Sequence, residues 1–277
     1  MIPPIASRFV AGETMDAALN HAAKLNERDV SAILNLLGEN YESSGSAKDD
    51  AATYRRLIGA IDSRDVSACI SVKPSQIGLD LSDELFLEQY EKIVEVGNDA
   101  GVFVWLDMED HTTTDVTLDA FRRGMKLYPD GVGVCLQANL KRTAEDIKEF
   151  TDSNGKIRLV KGAYAEPDGV AYTQKETVNQ KYREYLEYIF AEYNDGIAVG
   201  SHDPDMISRA EDLHDQHGTP LEIQMLMGVR TDVQYELAAD CEVYQYVPYG
   251  SKWMSYFYRR VTERKENLLF ALRALVS

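Results

Sequence analysis

The sequence predicts an α/β fold, a (β/α)8 barrel, on three observations. Eight short apolar runs rich in β-branched residues occur at 30–37, 66–72, 102–106, 131–136, 156–160, 197–200, 221–226 and 243–247. Longer segments of helical periodicity lie between them, among them 83–98, 114–127, 173–193 and 204–217. The runs recur about every 30 residues, with no linker rich in Pro, Gly or Ser to divide the chain. Strands that alternate with helices form a parallel sheet, and right-handed crossovers at this count close most economically into a barrel. The expectation is one catalytic domain over residues 1–277, distorted from the regular barrel, with a helical lead-in within 1–29. An open doubly wound sheet is the alternative. It would carry a Gly-rich phosphate loop after an early strand, and the first run ends instead in Leu37–Gly38–Glu39–Asn40.

Each element has its own signal. The lead-in spans 14–27, and the helices that follow start on plausible caps: Ser82 before Asp83 and Glu84, Thr143 before Glu145 and Asp146, Asp203 before Pro204. A last helix begins near Ser251 and is placed close to the mouth of the barrel. With 44% hydrophobic residues in 277, the chain has enough apolar surface for a sizeable core. The 46 acidic against 29 basic residues give a net charge of −17. That charge disfavours nucleic acid and anionic membrane as partners, and it fits a surface adapted to high salt. Cys69, Cys135 and Cys241 lie far apart in apolar runs, which fits core thiols in a reducing compartment rather than disulfides or zinc ligands. No apolar leader and no membrane-length stretch is visible, so the chain is expected to be cytoplasmic.

Active sites of such barrels sit at the C-terminal ends of the strands. Those ends carry Glu39, Lys73, Asp107, Glu109, Gln137, Arg158, Lys161, His202, Glu222, Gln224, Tyr244 and Tyr246. A purely structural lumen needs no such set of titratable groups, and burying them unpaired would be costly. Their convergence on one rim points to an enzyme. On the last helix, Tyr256, Arg259, Arg260 and Glu263 share one face by their i, i+3, i+4, i+7 spacing. Adjacent arginines suit a carboxylate or a phosphate, and equally a surface salt bridge with Glu263. Tyrosine is abundant, with 16 residues, several of them around the last strand and helix, where they could enclose a small apolar ring. No H-x-H or H-E-x-x-H pattern supports a metal site.

These residues resemble a known family, the flavin-dependent proline dehydrogenases. The central match is Arg158–Leu159–Val160–Lys161–Gly162–Ala163–Tyr164, which is similar to the family's fifth-strand motif. Around it, in order, stand Arg8–Phe9–Val10–Ala11–Gly12–Glu13, Leu36–Leu37–Gly38–Glu39, Ser71–Val72–Lys73–Pro74–Ser75, Asp107–Met108–Glu109 and Leu136–Gln137–Ala138. Ser201–His202–Asp203, Glu222–Ile223–Gln224–Met225–Leu226, Val247–Pro248–Tyr249–Gly250 and Tyr256–Phe257–Tyr258–Arg259–Arg260 follow. The resemblance implies FAD-dependent oxidation of L-proline to 1-pyrroline-5-carboxylate by a compact, monofunctional member, with electrons passed to a quinone. This would be the first step of proline degradation to glutamate. It implies that Arg259, Arg260 and Lys73 clamp the proline carboxylate, while Tyr256, Tyr244 and Leu226 pack on the ring. Asp107 would hold the cationic cluster in place. Arg158 near the flavin N5, Gln137 at its ring edge, and Lys161, Gly162, Ala163, Ser201 and His202 would hold the cofactor. Glu263 would orient an arginine or contact the far end of the flavin.

Two positions depart from the pattern: Ala165, before Glu166–Pro167, where an aromatic is frequent, and Asp203 where Asn is common. A Schiff-base aldolase built on Lys161 and a non-catalytic barrel that binds small carboxylates are the rival functions. Peripheral docking at the inner face of the membrane through 268–276 is weighed against packing of that stretch on the barrel. The oligomeric state is left open.

Overall fold

The structure, a computed structural model, describes residues 2–3, 6–38, 41–151, 153–193 and 196–258. A 3-10 turn at Ala6–Arg8 and helix α1 (Met15–Asn26) precede β1 (Val30–Leu36). There follow α2 (Ser44–Arg64), β2 (Ala68–Val72), α3 (Asp83–Ala100), β3 (Val104–Leu106), α4 (Thr114–Leu127) and β4 (Val132–Gln137). The second half runs α5 (Thr143–Glu149), β5 (Lys156–Val160), α6 (Lys175–Glu192), β6 (Ile197–Gly200), α7 (Pro204–His217), β7 (Leu221–Leu226), α8 (Thr231–Leu237) and β8 (Glu242–Tyr249). The strands form a closed parallel barrel in sequence order, β8 pairing with β1 to shut it. This is the expected fold class.

Period-two alternation sorts the strand residues into two shells. Ala32, Leu34, Ile70, Val72, Val104, Leu106, Val132, Val134, Leu159, Val199 and Ile223 join the large core under the helices. Ile33, Cys69, Trp105 and Ala198 form a separate cluster with Tyr244 and Tyr246 packed on it, which is the lumen set. A glycine on β4 makes room for the largest member: a Cβ on Gly133 would lie 2.4 Å from the Trp105 ring. Residues 198 and 200 on β6 are likewise Ala and Gly, and this leaves the lumen open between β5 and β7.

Helix starts follow local chemistry. Ser82 Oγ accepts from Leu85 N at 3.2 Å, and Asp203 Oδ1 from Asp205 N at 3.1 Å with Pro204 next in line. Thr143 corrects the expectation of a cap. It is the first residue inside α5, and its hydroxyl donates to the Gln137 carbonyl at 2.6 Å, which satisfies the end of β4 instead. The backbone at 253–258 is helical, at the start of the expected last helix. Arg259, Arg260, Glu263 and the stretch 268–276 lie outside the described residues, as does Glu39.

Candidate functional site

At the C-terminal ends of the strands the barrel opens into a cavity of about 1310 Å3. Its floor is made by Asn35, Lys73, Asp107, Cys135, Gln137, Arg158, Gln224 and Tyr246. One side is lined by Lys161, Gly162, Ala163 and Tyr164 after β5 and by Gly200, Ser201, His202 and Asp203 after β6. Leu226 and the start of the last helix, with Met254, Ser255 and Tyr256, close the other side.

Asp107, just past β3, is the hub of the floor. Its Oδ1 accepts from Ser71 Oγ at 2.7 Å and from Arg158 Nη2; its Oδ2 accepts from Tyr246 Oη at 2.8 Å and from Lys73 Nζ at 3.2 Å. Burial alone would raise this carboxyl. The Lys73 ammonium, the Arg158 guanidinium and the hydroxyls of Ser71 and Tyr246 outweigh it and hold the group down to about 2. Burial would likewise discharge Lys73 and Arg158, and Asp107 raises both above their ordinary values instead. Arg158 also lies against the Trp105 ring, with Cζ 4.9 Å from its centroid. Glu109, two residues on, accepts from Ser75 N at 2.7 Å and Ser75 Oγ at 2.8 Å, and burial raises its carboxyl despite the nearby lysine. The Glu109 carbonyl accepts from Gln137 Nε2 at 2.7 Å and so fixes the rotamer of that amide.

The side after β5 and β6 is built differently. Gly162 has φ +108, and a Cβ there would meet Asn139 Oδ1 at 2.1 Å, so only glycine makes this turn. Lys161 Nζ donates to Asn179 Oδ1 and Asp203 Oδ2, each at 2.6 Å. Asp203 therefore ties the loop after β5 to the start of α7, which gives the departure at that position a structural use. Burial would raise the Asp203 carboxyl, but the hydrogen bond and charge of Lys161 lower it. His202 Nε2 accepts from Leu226 N at 3.2 Å, and the His202 carbonyl accepts from Arg230 Nη1 at 2.6 Å. Next to the other departure, Ala165, Glu166 accepts from the backbone N–H of His111 at 2.9 Å and also contacts its Nδ1. That pair pins the loop after β5 to the turn before α4.

Lys73, Asp107, Leu226 and Tyr256 line this cavity together with Gln137, Arg158, Lys161, Gly162, Ala163, Ser201 and His202. Tyr244 does not. It bonds Ser31 near the start of β1 and sits among Cys69 and Glu222, deep at the other end of the lumen. Tyr246, one pleat further along β8, lines the cavity in its place. Asn35 and Ser71 join the floor as uncharged lumen residues: Asn35 is marked in the sequence only by a polar side chain in an apolar strand, and Ser71 by its place two residues before Lys73 in the second-strand motif.

The donor set and shape can be tested against a flavin. The cavity exceeds the roughly 300–1,000 Å3 of ordinary small-molecule pockets. One flank has no side chain at Gly162 or Gly200, and cationic or donor groups of Arg158, Lys161, Ser201 and Gln137 border it. That open, positively bordered face suits a large planar group with a pyrophosphate tail, with room left for a small ring.

The sequence model of the family described as proline dehydrogenase matches residues 18–273. The chain belongs to the proline dehydrogenase family. Proline dehydrogenase 1 of Bacillus subtilis strain 168 is 36% identical over 275 residues, covering 98% of this chain and 90% of the relative. Proline dehydrogenase of Deinococcus radiodurans is 35% identical over 280 residues, with the same coverage of 98% and 90%. The solved proline utilization A (PutA) of Bdellovibrio bacteriovorus, inactivated by N-propargylglycine, superposes with a TM-score of 0.84 at 23% identity. There the match covers 92% of this family member and 32% of the PutA chain, and it speaks to the barrel alone.

Proposed function

We propose that this chain is an FAD-dependent proline dehydrogenase acting as one catalytic domain, oxidising L-proline to 1-pyrroline-5-carboxylate and passing electrons to a quinone. The observation that carries this is the floor of the cavity: two cations, Lys73 and Arg158, sharing one ionised carboxylate beneath a space large enough for a flavin and a small ring. FAD, when bound, would supply the two-electron acceptor for the C–H bond next to the substrate amine.

The residues themselves do the rest. Lys73 reaches the floor with its ammonium and would bind the substrate carboxylate, together with the expected Arg259 and Arg260. Tyr246, Tyr256 and Leu226 would wall the pyrrolidine ring, and holding a small rigid ring in one pose lowers the barrier by removing orientational freedom. Asp107 already accepts four hydrogen bonds and stays ionised to about pH 2, so its part is to order the cations, not to take the proton. The positive field of Lys73 and Arg158 favours the neutral amine, whose lone pair assists oxidation. Gln137, Arg158, Lys161, Gly162, Ala163, Ser201 and His202 would hold the flavin. The aldolase alternative needs a free Lys161 amine, and that ammonium is engaged by Asp203 and Asn179.

Anaerobic addition of L-proline to FAD-loaded protein tests the reading. The flavin absorption bands should bleach; bands that persist, or a chain that takes up no FAD, would overturn it.

A further inference from the structure

Arg158 is held from below as well as from the side. Its Nη2 meets Asp107 and, at 3.2 Å, Ser71 Oγ, while its Nη1 donates to Gln224 Oε1 at 3.1 Å. The amide nitrogen of the same Gln224 donates to Glu222 Oε1 at 2.5 Å. Glu222 Oε2 in turn accepts from Lys156 Nζ at 2.8 Å. Polar side chains thus run in contact down the lumen, from the cavity floor to a separate cleft of about 250 Å3 lined by Lys156, Glu222 and Glu242 at the strand starts. Arg158, Gln224 and Glu222 are all buried, so the bonds among these three are shielded from bulk water, while Lys156 at the outer end is half-buried. The path exists because Ala198, which pairs with both Arg158 and Glu222, presents only a methyl group between them.

A primary amide has an acceptor on one side and donors on the other. Here the carbonyl faces the guanidinium and the NH2 faces the carboxylate. Reversed, the amide would set donors against Arg158 and lone pairs against Glu222, and both contacts would turn repulsive in a buried site. Glu222 therefore decides which way Gln224 points, and Gln224 in turn gives Arg158 an uncharged acceptor on the side away from Asp107.

We infer that Glu222 is a positioning residue that acts through Gln224 to set the Arg158 guanidinium at the cavity floor, from the opposite end of the barrel. This rests on the proposed function only in that Arg158 faces the redox cofactor. Lys156 is the outer anchor that fixes the carboxylate of Glu222.

The test uses the full FAD-loaded chain as wild type, as Glu222→Gln, and as the double substitution Glu222→Gln with Gln224→Glu. The double variant restores the donor–acceptor order from Lys156 to Arg158 and keeps the net charge. Two readouts are taken. In 15N-arginine-labelled protein, the Arg158 guanidinium should give resolved, exchange-protected Nη signals, lost in Glu222→Gln and regained in the double variant. In anaerobic stopped flow, Glu222→Gln should slow the limiting rate of flavin reduction by about tenfold with KM for proline within about twofold, and the double variant should recover most of the rate. Unchanged Arg158 signals, a wild-type rate per bound flavin in Glu222→Gln, or a double variant that recovers neither readout would each overturn the inference. A wild-type protein that proline does not reduce would instead sink the proposed function, leaving the NMR comparison to decide the role of Glu222.

Discussion

Asp107 joins two strands' worth of cations through one carboxylate, and that makes it both a structural tie and an electrostatic setting. Replacing it with Asn removes the carboxylate that pairs with the buried Arg158 and the half-buried Lys73. Asp107→Asn should therefore cost about 3 kcal/mol of stability by urea unfolding, and a loss below about 1 kcal/mol would argue against the hub. The pH dependence has a definite sign. The folded-state value lies below the ordinary carboxylate value, so the stabilisation is present above about pH 4 and drains away as pH falls toward about 2. Wild-type unfolding followed across that window should lose stability more steeply than Asp107→Asn does. The tyrosines on β8 make a second pair of cases. Tyr246→Phe removes a bond to Asp107 and should lower kcat/KM for proline by about tenfold, whereas Tyr244→Phe should stay within about twofold. Steady-state kinetics on the two variants separates the two ends of the lumen. From sequence, both tyrosines read as inward-facing, since they share the period-two face. What the pattern does not carry is height, and one pleat is a rise of about 6.6 Å. The same limit applies to Glu222, which the strand pattern placed at the rim and the register places well below it.

Among the elements, β5, β6 and β7 match their sequence boundaries residue for residue: β6 is a continuous apolar run, β5 and β7 alternate apolar with polar residues, and Gly155, Gly196 and Pro220 stand just before them. The last strand was expected to stop at Val247, ahead of Pro248. It continues to Tyr249, since Pro248 lacks only a donor and its carbonyl still accepts from Ala11 N at 2.9 Å, while Leu37 N donates to the Tyr249 carbonyl at 2.7 Å. Capping was legible where a side chain could reach only its own helix, as at Ser82 and Asp203. It failed at Thr143, where a strand-end carbonyl competes for the hydroxyl. The loop after β5 carries an expectation of its own. Gly162→Ala forces a side chain into Asn139 at a left-handed position, so it should cost about 1–3 kcal/mol of strain and weaken FAD retention. Thermal melts and flavin release on dilution would check this, and an unchanged variant would show that the turn relaxes freely. Asp203→Asn keeps the cap of α7 and removes the ion pair with Lys161, so the two functions of that residue can be read separately.

For the whole molecule, the net charge of −17 is distributed against the site: acidic residues crowd the helices, while Lys73, Arg158 and Lys161 line the cavity and Lys156 the cleft at the strand starts. Self-repulsion among so many carboxylates destabilises the compact state, and salt screens it. Raising NaCl should lift Tm, by ~3 °C for each ~1 kcal/mol of repulsion relieved. A Tm that falls or stays flat from low to high salt would show that the surface pairs, such as Arg209 with Glu187, already balance the excess. Barrel closure was legible because it rests on the count and order of strands; the contacts that cross the lumen were not, because they join residues far apart in the chain. Among the described residues, no helix is long and apolar enough to cross a membrane. The chain has two tryptophans, one beneath the cavity floor and one beside its mouth. Trp105 is buried against Arg158, while Trp253, at the start of the last helix, donates to Glu13 at 3.2 Å near the mouth. Light emission can thus report on floor and entrance as separate channels. Trp253→Phe leaves a fluorophore that senses what happens around Arg158, and Trp105→Phe leaves one that senses the contact with Glu13.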